Sequence, residues 1–497
     1  MVRHAMLALM MSCTALPALA HDGVLDVVAP FELKGPDPIQ SGNIFLKMDV
    51  VETLVDTDEE GRLLPGLATA WDTASDGLRW SFTLREGVMF HDGTPMDAPA
   101  VATALIRSLE NGGLLAKAPI KDIHASGAHR VDITLQTPFA MLPAMLAEYR
   151  AAIIAPSAIK ADGTITALIG TGAYKVTELA PPNKLALQAF DGYWGKPAAI
   201  ETAVYTASSR SETRALMAES GDADVTISLD PASVRRLSGT EGLEVRSVAI
   251  PRVLMLKVNG TRYDAQTRKA LSLAIDRDGI ARAVLRYPEG ATQMFPPGMA
   301  GWHDATLTPL RYDPAAARAA LEALGWTEGA DGVLQKDGKK LEIEILTYPD
   351  RPELPLVAAV LEQEFAAIGA KATINSTNFS EIPTRHTDGT LDTALFARNF
   401  ALLPDPVGTL LQDYAPDGEW GAMGWSNTAF TAGVTAMAEG TAPEDTRARL
   451  VATLQAELPV LPIAWYQQTM AISDSVKGVV LDPFERTLGL KSVEWAE

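Results

Sequence analysis

The sequence predicts an α/β protein of two lobes joined by a hinge, and three observations carry that expectation. At 497 residues the chain exceeds what one hydrophobic core ordinarily organises, so two or three lobes are expected. Between Leu341 and Asn375 the hydrophobic period passes from two to that of a helix and back. This is the pattern of a β-α-β unit, and hence of a parallel sheet with a right-handed crossover. Near the C-terminus the apolar stretch from Leu461 to Ile472 is expected to return the chain to its first lobe, which gives two linking segments and a hinge between them.

In chain order, residues 1–20 have the build of an export signal. Arg3 forms a short positive region, Ala5 to Leu16 an apolar run, and Ala18-Leu19-Ala20 a small-x-small cleavage site. The mature protein is expected to start at His21 and to be periplasmic and soluble, since no other apolar run reaches roughly 18 residues. Cys13, the single cysteine, leaves with that segment. Its lipidation is the alternative, against which Met10-Met11-Ser12 makes a poor lipobox. A strand is expected at Val24–Ala29, a Pro-rich loop over residues 30–41 and a helical element over residues 43–54.

Leu78, Trp80, Phe82 and Leu84 alternate with polar residues, as in a strand with one buried face. Asp76-Gly77 supplies the tight turn that pairs it with the segment around residues 70–73. Asp97 is placed to cap a helix carrying Val101, Ala104, Leu105 and Leu109, which ends at Asn111-Gly112. A strand follows over residues 131–135 and a helix over residues 138–149, with Arg150 just beyond. Asp264 opens a helix expected to run from Ala265 toward Tyr287. Asp313-Pro314 opens another that Gly325 closes. In the β-α-β unit Leu341, Ile343 and Ile345 mark the first strand, Val357, Val360, Leu361, Phe365 and Ile368 the helix, and residues 371–375 the second strand. A further strand is expected over residues 391–396.

Composition narrows the function. A formal net charge of -20 argues against nucleic acid, whose phosphates call for surplus Lys and Arg. No His-Glu-x-x-His, Cys-x-x-Cys, Gly-x-Ser-x-Gly or complete P-loop is present. Asp337-Gly338-Lys339-Lys340 lacks the hydroxyl residue, and Gly170-Thr171-Gly172 lacks the third glycine of a nucleotide loop. The seven histidines are scattered singly, with His91 in a turn. Paired carboxylates among 62 acidic residues keep a secreted hydrolase as a distant alternative. No catalytic residue, cofactor or protein-held metal is assigned.

Trp71, Asp76-Gly77, Trp80, Phe82, Leu84 to Val88, Phe90 and Asp92 to Pro95 together resemble the signature of the peptide/nickel family, family 5, of extracytoplasmic solute-binding proteins that serve ABC importers. Gly170-Thr171-Gly172-Ala173-Tyr174, a turn entering a strand, and Tyr193-Trp194-Gly195 are similar to further family segments. The resemblance implies a type II bilobal periplasmic-binding-protein fold in its large three-subdomain form. Lobe I is expected over residues 21–255, lobe II over 256–460 and a return to lobe I over 461–497. It also implies a receptor that is no enzyme, a monomer, with ABC permease subunits as partners.

The resemblance further implies the ligand contacts. Arg150 sits where the nickel-binding branch carries an arginine that clamps the carboxylates of a metal chelate, a task suited to a permanently charged, bidentate guanidinium. Peptide-binding members place an Asp three residues before their acidic-Pro pair, where it receives the peptide's amino terminus. Here Leu402 precedes Asp405-Pro406, and an apolar residue cannot neutralise a desolvated ammonium. Phe400 aligns with an aromatic contact, and Arg398 adds a second positive group. Trp425, Asn427 and Tyr414 resemble cleft lining, and Tyr348 with Arg351 resembles the helix entrance of the metallophore branch. The histidine that contacts nickel in that branch falls near Gly418 here, so the ligand must bring its own donors. The expected ligand is nickel or a similar divalent metal held by an organic chelator, histidine or a metallophore. A di- or oligopeptide is the alternative.

Overall fold

The computed structural model describes residues 22–111, 114–349, 351, 353–400, 403, 405–414, 418 and 420–496. The signal segment with Cys13 and His21, and also Gly112 and Leu402, lie outside the described residues. A ten-stranded mixed sheet runs through the molecule, and its two central members are the longest strands. Leu243–Val258 pairs antiparallel with Val460–Ser473 along nearly its whole length. On one side of this pair lie Thr393–Asn399, Glu342–Thr347 and Lys371–Ser376. On the other lie Val225–Ile227, Val24–Ala29, Thr202–Ala207, Lys184–Ala189 and Tyr174–Ala180. The register of the central pair breaks between Ala249 and Val253, where Pro251 has no N–H to give the ladder.

Two large apolar cores flank that break. One holds Leu25, Phe45, Phe82, Val131 and Tyr174 together with Met470 and Val493 from the end of the chain. The other holds Leu254, Ile343, Leu361, Phe396 and Trp465. Leu63, Phe139, Val248 and Leu403 pack against both. An interlobe hydrogen bond, from the Ala140 N–H to the Ala438 carbonyl at 2.8 Å, closes the seam on one side.

The hairpin forms as its alternation dictates. Ala68–Thr73 and Arg79–Leu84 pair with Thr73 opposite Trp80, across a turn in which Gly77 takes φ +69°. They join Arg130–Leu135 and Ile120–Ala125 in a four-stranded sheet. Phe82 and Leu84 are buried. Ser81, on the opposite face, is also covered, because its hydroxyl donates to Asp132 at 2.7 Å. Asp97, Asp264 and Asp313 cap helices as expected, each accepting a backbone N–H three residues on. In the β-α-β unit Glu342–Thr347 and Lys371–Ser376 are parallel and the helix Glu353–Ala367 crosses between them.

Three expectations are corrected. The first helix is Pro38–Lys47, capped by Asp37, so it begins inside the expected Pro-rich loop; Pro38 suits a first helical turn. The segment after residue 138 makes only one α-turn, Leu142–Met145, and a 3-10 turn, Tyr149–Ala151. The Glu148 carboxylate accepts the Arg150 N–H and starts that second turn. The helix expected from Ala265 toward Tyr287 is interrupted: Ala265–Leu273 ends, and after residues 274–276 the chain resumes helical turns over Arg277–Gly279 and Ile280–Leu285, with Asp276 capping the restart by accepting the Gly279 N–H. Arg277, buried beside the break, donates to the carbonyls of Ser272 and Pro462. No helix of the described residues is long and apolar enough to cross a membrane.

Candidate functional site

At the break in the central strand pair, the two lobes and the returning C-terminal arm enclose a cavity of about 280 Å³. The lobe I wall is Phe31 with Asn43, Leu46 and Lys47 of the first helix, and Glu148 and Tyr149. The opposite wall is Arg252 and Asn399, neighbours across the sheet. Phe484, Glu485 and Arg486 of the return arm complete it.

The cavity is built from charges that are only partly neutralised. Arg150 is not itself a lining residue; it sits behind two that are, with its guanidinium over the Tyr149 ring at 4.7 Å and a single contact of 3.1 Å to Glu148. Glu148 is 5% exposed, and burial pushes its carboxyl up to about 7 against the pull of Arg150 and Arg486. Arg486 donates to the Ala147 carbonyl and to Asp56. Lys47 holds its ammonium 5.5 Å from the Phe31 ring. Arg252 meets Glu485 at 3.4 Å and lies 5.9 Å from the ring of Tyr466. Arg351 approaches the same ring at 5.4 Å, and the Tyr466 hydroxyl donates to Glu353. Tyr348 stacks edge-on against Phe379, which lies on Trp420. Arg150 touches a lining residue and Arg351 shares the Tyr466 ring with one, but none of Arg150, Arg351 and Tyr348 lines the cavity.

The structure takes the other expected contacts elsewhere. Arg398 is committed to Asp413 through two contacts of 2.5 and 2.8 Å, and Asp413 is fully buried. Phe400 is a core residue with no exposed surface, packed edge-on against Phe295. Tyr414 is buried against Trp425 and Phe430. Trp425 and Asn427 both donate to Glu457, at 2.6 and 2.8 Å, and Asn427 also caps the helix Thr428–Glu439. That corner adjoins Asn259, which bridges to Met423. The strand from Pro251 to Asn259 places it roughly 26 Å from the hinge at the usual strand rise.

A second interlobe cavity, of about 550 Å³, opens beyond the seam. Met141 and Leu63 face Met299, Trp302, Asp405 and Arg447 across it. Burial raises the Asp405 carboxyl, which receives Trp302 and Arg447 only at 3.4 and 3.3 Å. Among the described residues no group of three or more His, Cys, Asp or Glu could hold a metal ion.

Sequence reasoning missed Lys47, Arg252, Glu485 and Arg486. Nothing near them in sequence marks them, because each reaches the cavity through long-range pairing. Gly170 and Gly172 are explained by packing: a Cβ on either would come within 2.1 Å of the Val50 or Asp49 carbonyl. Thr171, Tyr193 and Trp194 all donate to buried Glu52, so both family segments serve the lobe I interior.

A hinged two-lobe cleft lined with charged groups defines a solute-binding receptor, and comparison with known proteins agrees. Residues 62–420 match the family described as bacterial extracellular solute-binding proteins, family 5. The chain belongs to that family, whose members are binding proteins of ABC transport. It is 28% identical over 413 residues to the nickel-binding periplasmic protein of Escherichia coli K12, covering 77% of this chain and 78% of that one. It is also 28% identical over 388 residues to the glutathione-binding protein GsiB of Salmonella typhimurium, covering 75% and 73%. The crystal structure of a nickel ABC transporter protein from Bacillus halodurans superposes with TM-score 0.83 at 25% identity, over 94% of this chain and 99% of that one.

Proposed function

We propose that this receptor captures a small carboxylate-bearing metal chelate at the hinge cavity and presents it to an ABC permease from the periplasm. The cargo is nickel or a related divalent metal carried by an organic chelator, histidine or a metallophore. The observation that supports this most is the cluster of cations lining one small enclosure: Lys47, Arg252 and Arg486 stand there, with Glu485 and Asp56 as counter-charges and Glu148 driven toward its neutral form by burial. Such a lining favours a ligand that presents carboxylates, held by charge-assisted bonds. A cavity near 280 Å³ sits at the small end of ligand sites and suits a chelate better than an extended peptide. The nickel-binding relative is consistent with this reading.

A di- or oligopeptide is the second reading, favoured by one observation. Asp405 gives the larger interlobe cavity a buried carboxylate to which a peptide ammonium can bind. Calorimetric titration separates the two. Nickel(II) with L-histidine is expected to bind saturably without product, and elemental analysis of protein from its own periplasm to find the metal. Binding of dipeptides with no response to nickel and L-histidine overturns the chelate reading.

A further inference from the structure

The return arm carries a feature that the capture of a carboxylate does not require. Glu485 holds φ +57°, a left-handed backbone that an L side chain adopts only when its surroundings impose it. They do so here. The Asp482 carboxylate accepts the N–H groups of Phe484, Arg486 and Thr487, and the Glu485 N–H donates to the Asp482 carbonyl. This wraps the loop tightly around one buried acid. Arg486 ties the same loop to lobe I at Asp56 and Ala147. The result is that the Glu485 carboxylate is presented into the cavity beside Arg252.

The pairing of these two is loose. One contact of 3.4 Å joins them, whereas Arg398 and Asp413 make two at 2.5 and 2.8 Å. A guanidinium touched end-on by one oxygen retains an edge for a second carboxylate, and a carboxylate touched once retains lone pairs for a second cation. The two groups, 24% and 22% exposed, complement the two ends of a zwitterion.

We propose that Arg252 and Glu485 form a clamp for an α-amino carboxylate. Arg252 receives the carboxylate of the ligand, and Glu485 receives its amino group. Glu485 is thereby a specificity-determining residue that separates amino acid derivatives from simple carboxylic acids. Phe31, Tyr149 and Phe484 give the cavity three rings against which a flat side chain packs. This rests on the hinge cavity being the ligand site, and it goes beyond that reading by naming the group recognised.

The test uses calorimetry on the mature full-length chain without metal. The probes are L-histidine, imidazolepropionate, which lacks the amino group, and histamine, which lacks the carboxylate. The wild type is expected to bind L-histidine at least tenfold more tightly than either truncated probe. Glu485→Gln is expected to lose at least tenfold in L-histidine affinity while binding imidazolepropionate as well as or better than before. Arg252→Gln is expected to lose both. Glu485→Gly supplies a variant whose folding is secured, since glycine suits the left-handed backbone, and it should behave as Glu485→Gln does. Equal wild-type affinity for L-histidine and imidazolepropionate overturns the clamp. So does an unchanged Glu485→Gln, or a wild type that ignores L-histidine. Failure of nickel to bind while the amino acid selectivity persists removes the metal from the proposed function and leaves the clamp standing.

Discussion

Arg150 and Arg398 look alike in the sequence, each near an aromatic residue and close to the end of a regular element, yet the fold uses them in opposite ways. Arg398 lies behind the cleft, 17% exposed, with both arms of its fork on a carboxylate that has no exposure at all. Arg150 lies behind the cavity wall, 30% exposed, with one contact to a lining carboxylate that burial is driving toward its neutral form. The first pair is saturated and holds lobe II together. The second is undersatisfied, which is the condition under which a guanidinium serves a ligand. Residue type is therefore a weak guide to a binding arginine, and the partner's remaining capacity is a strong one.

The largest expected effect tests the saturated pair. Arg398→Ala strips the buried Asp413 of both its guanidinium contacts, with the charge of Lys257 left nearby, which should reduce unfolding free energy by about 3–5 kcal/mol, measured by urea denaturation. A loss below about 1 kcal/mol would erase the contrast. Next, Arg150→Ala should weaken a carboxylate-bearing ligand by about 1.5–3 kcal/mol, the range of charge-assisted bonds, with stability nearly unchanged. Unaltered affinity in titration would take Arg150 out of the site. Glu457→Ala should cost about 1–2 kcal/mol of stability, because Trp425 and Asn427 lose their shared acceptor, and should leave ligand affinity as it was. A weakened ligand would return that corner to the cleft.

The smallest effect is one of pH. The Glu148 carboxyl rises from 4.5 to about 7 on burial, and so do those of Glu52 and Glu364. Each binds its proton more tightly folded than unfolded. Their contribution to stability is thus fully present below pH 4.5 and is lost as pH climbs through 7. At the cleft, protonating Glu148 frees Arg150 from its counter-charge, so affinity for a carboxylate-bearing chelate should rise severalfold between pH 8 and pH 5.5. Glu148→Gln should flatten that profile. A profile unchanged by the substitution would show that Glu148 does not set it.

What was legible beforehand follows range along the chain. The hairpin at Asp76-Gly77, the caps at Asp97, Asp264 and Asp313 and the β-α-β unit are local patterns, and all three appear in the structure. The helix expected toward Tyr287 is broken at residues 274–276, where Asp276 both caps the restart and donates its N–H to Glu364, 88 residues on, a pairing no window of sequence displays. The site behaved likewise. The segment around Arg150 drew attention to it, and its neighbours Glu148 and Tyr149 line the cavity, whereas Arg252 and Glu485 are 233 residues apart and gain meaning only from the crossing strand and the return arm. Phe400 and Trp425 pack against Phe295 and Phe430, and an aromatic side chain beside a turn suits a core as well as a cleft.

The interrupted ladder at Ala249 to Val253 has one more implication. Arg252 lies inside that interruption, so a hinge acting there would turn its guanidinium along with the jaws. Unclasping and surrender of the cargo then become a single stroke, and a permease that pries the lobes apart needs no separate trigger to empty them.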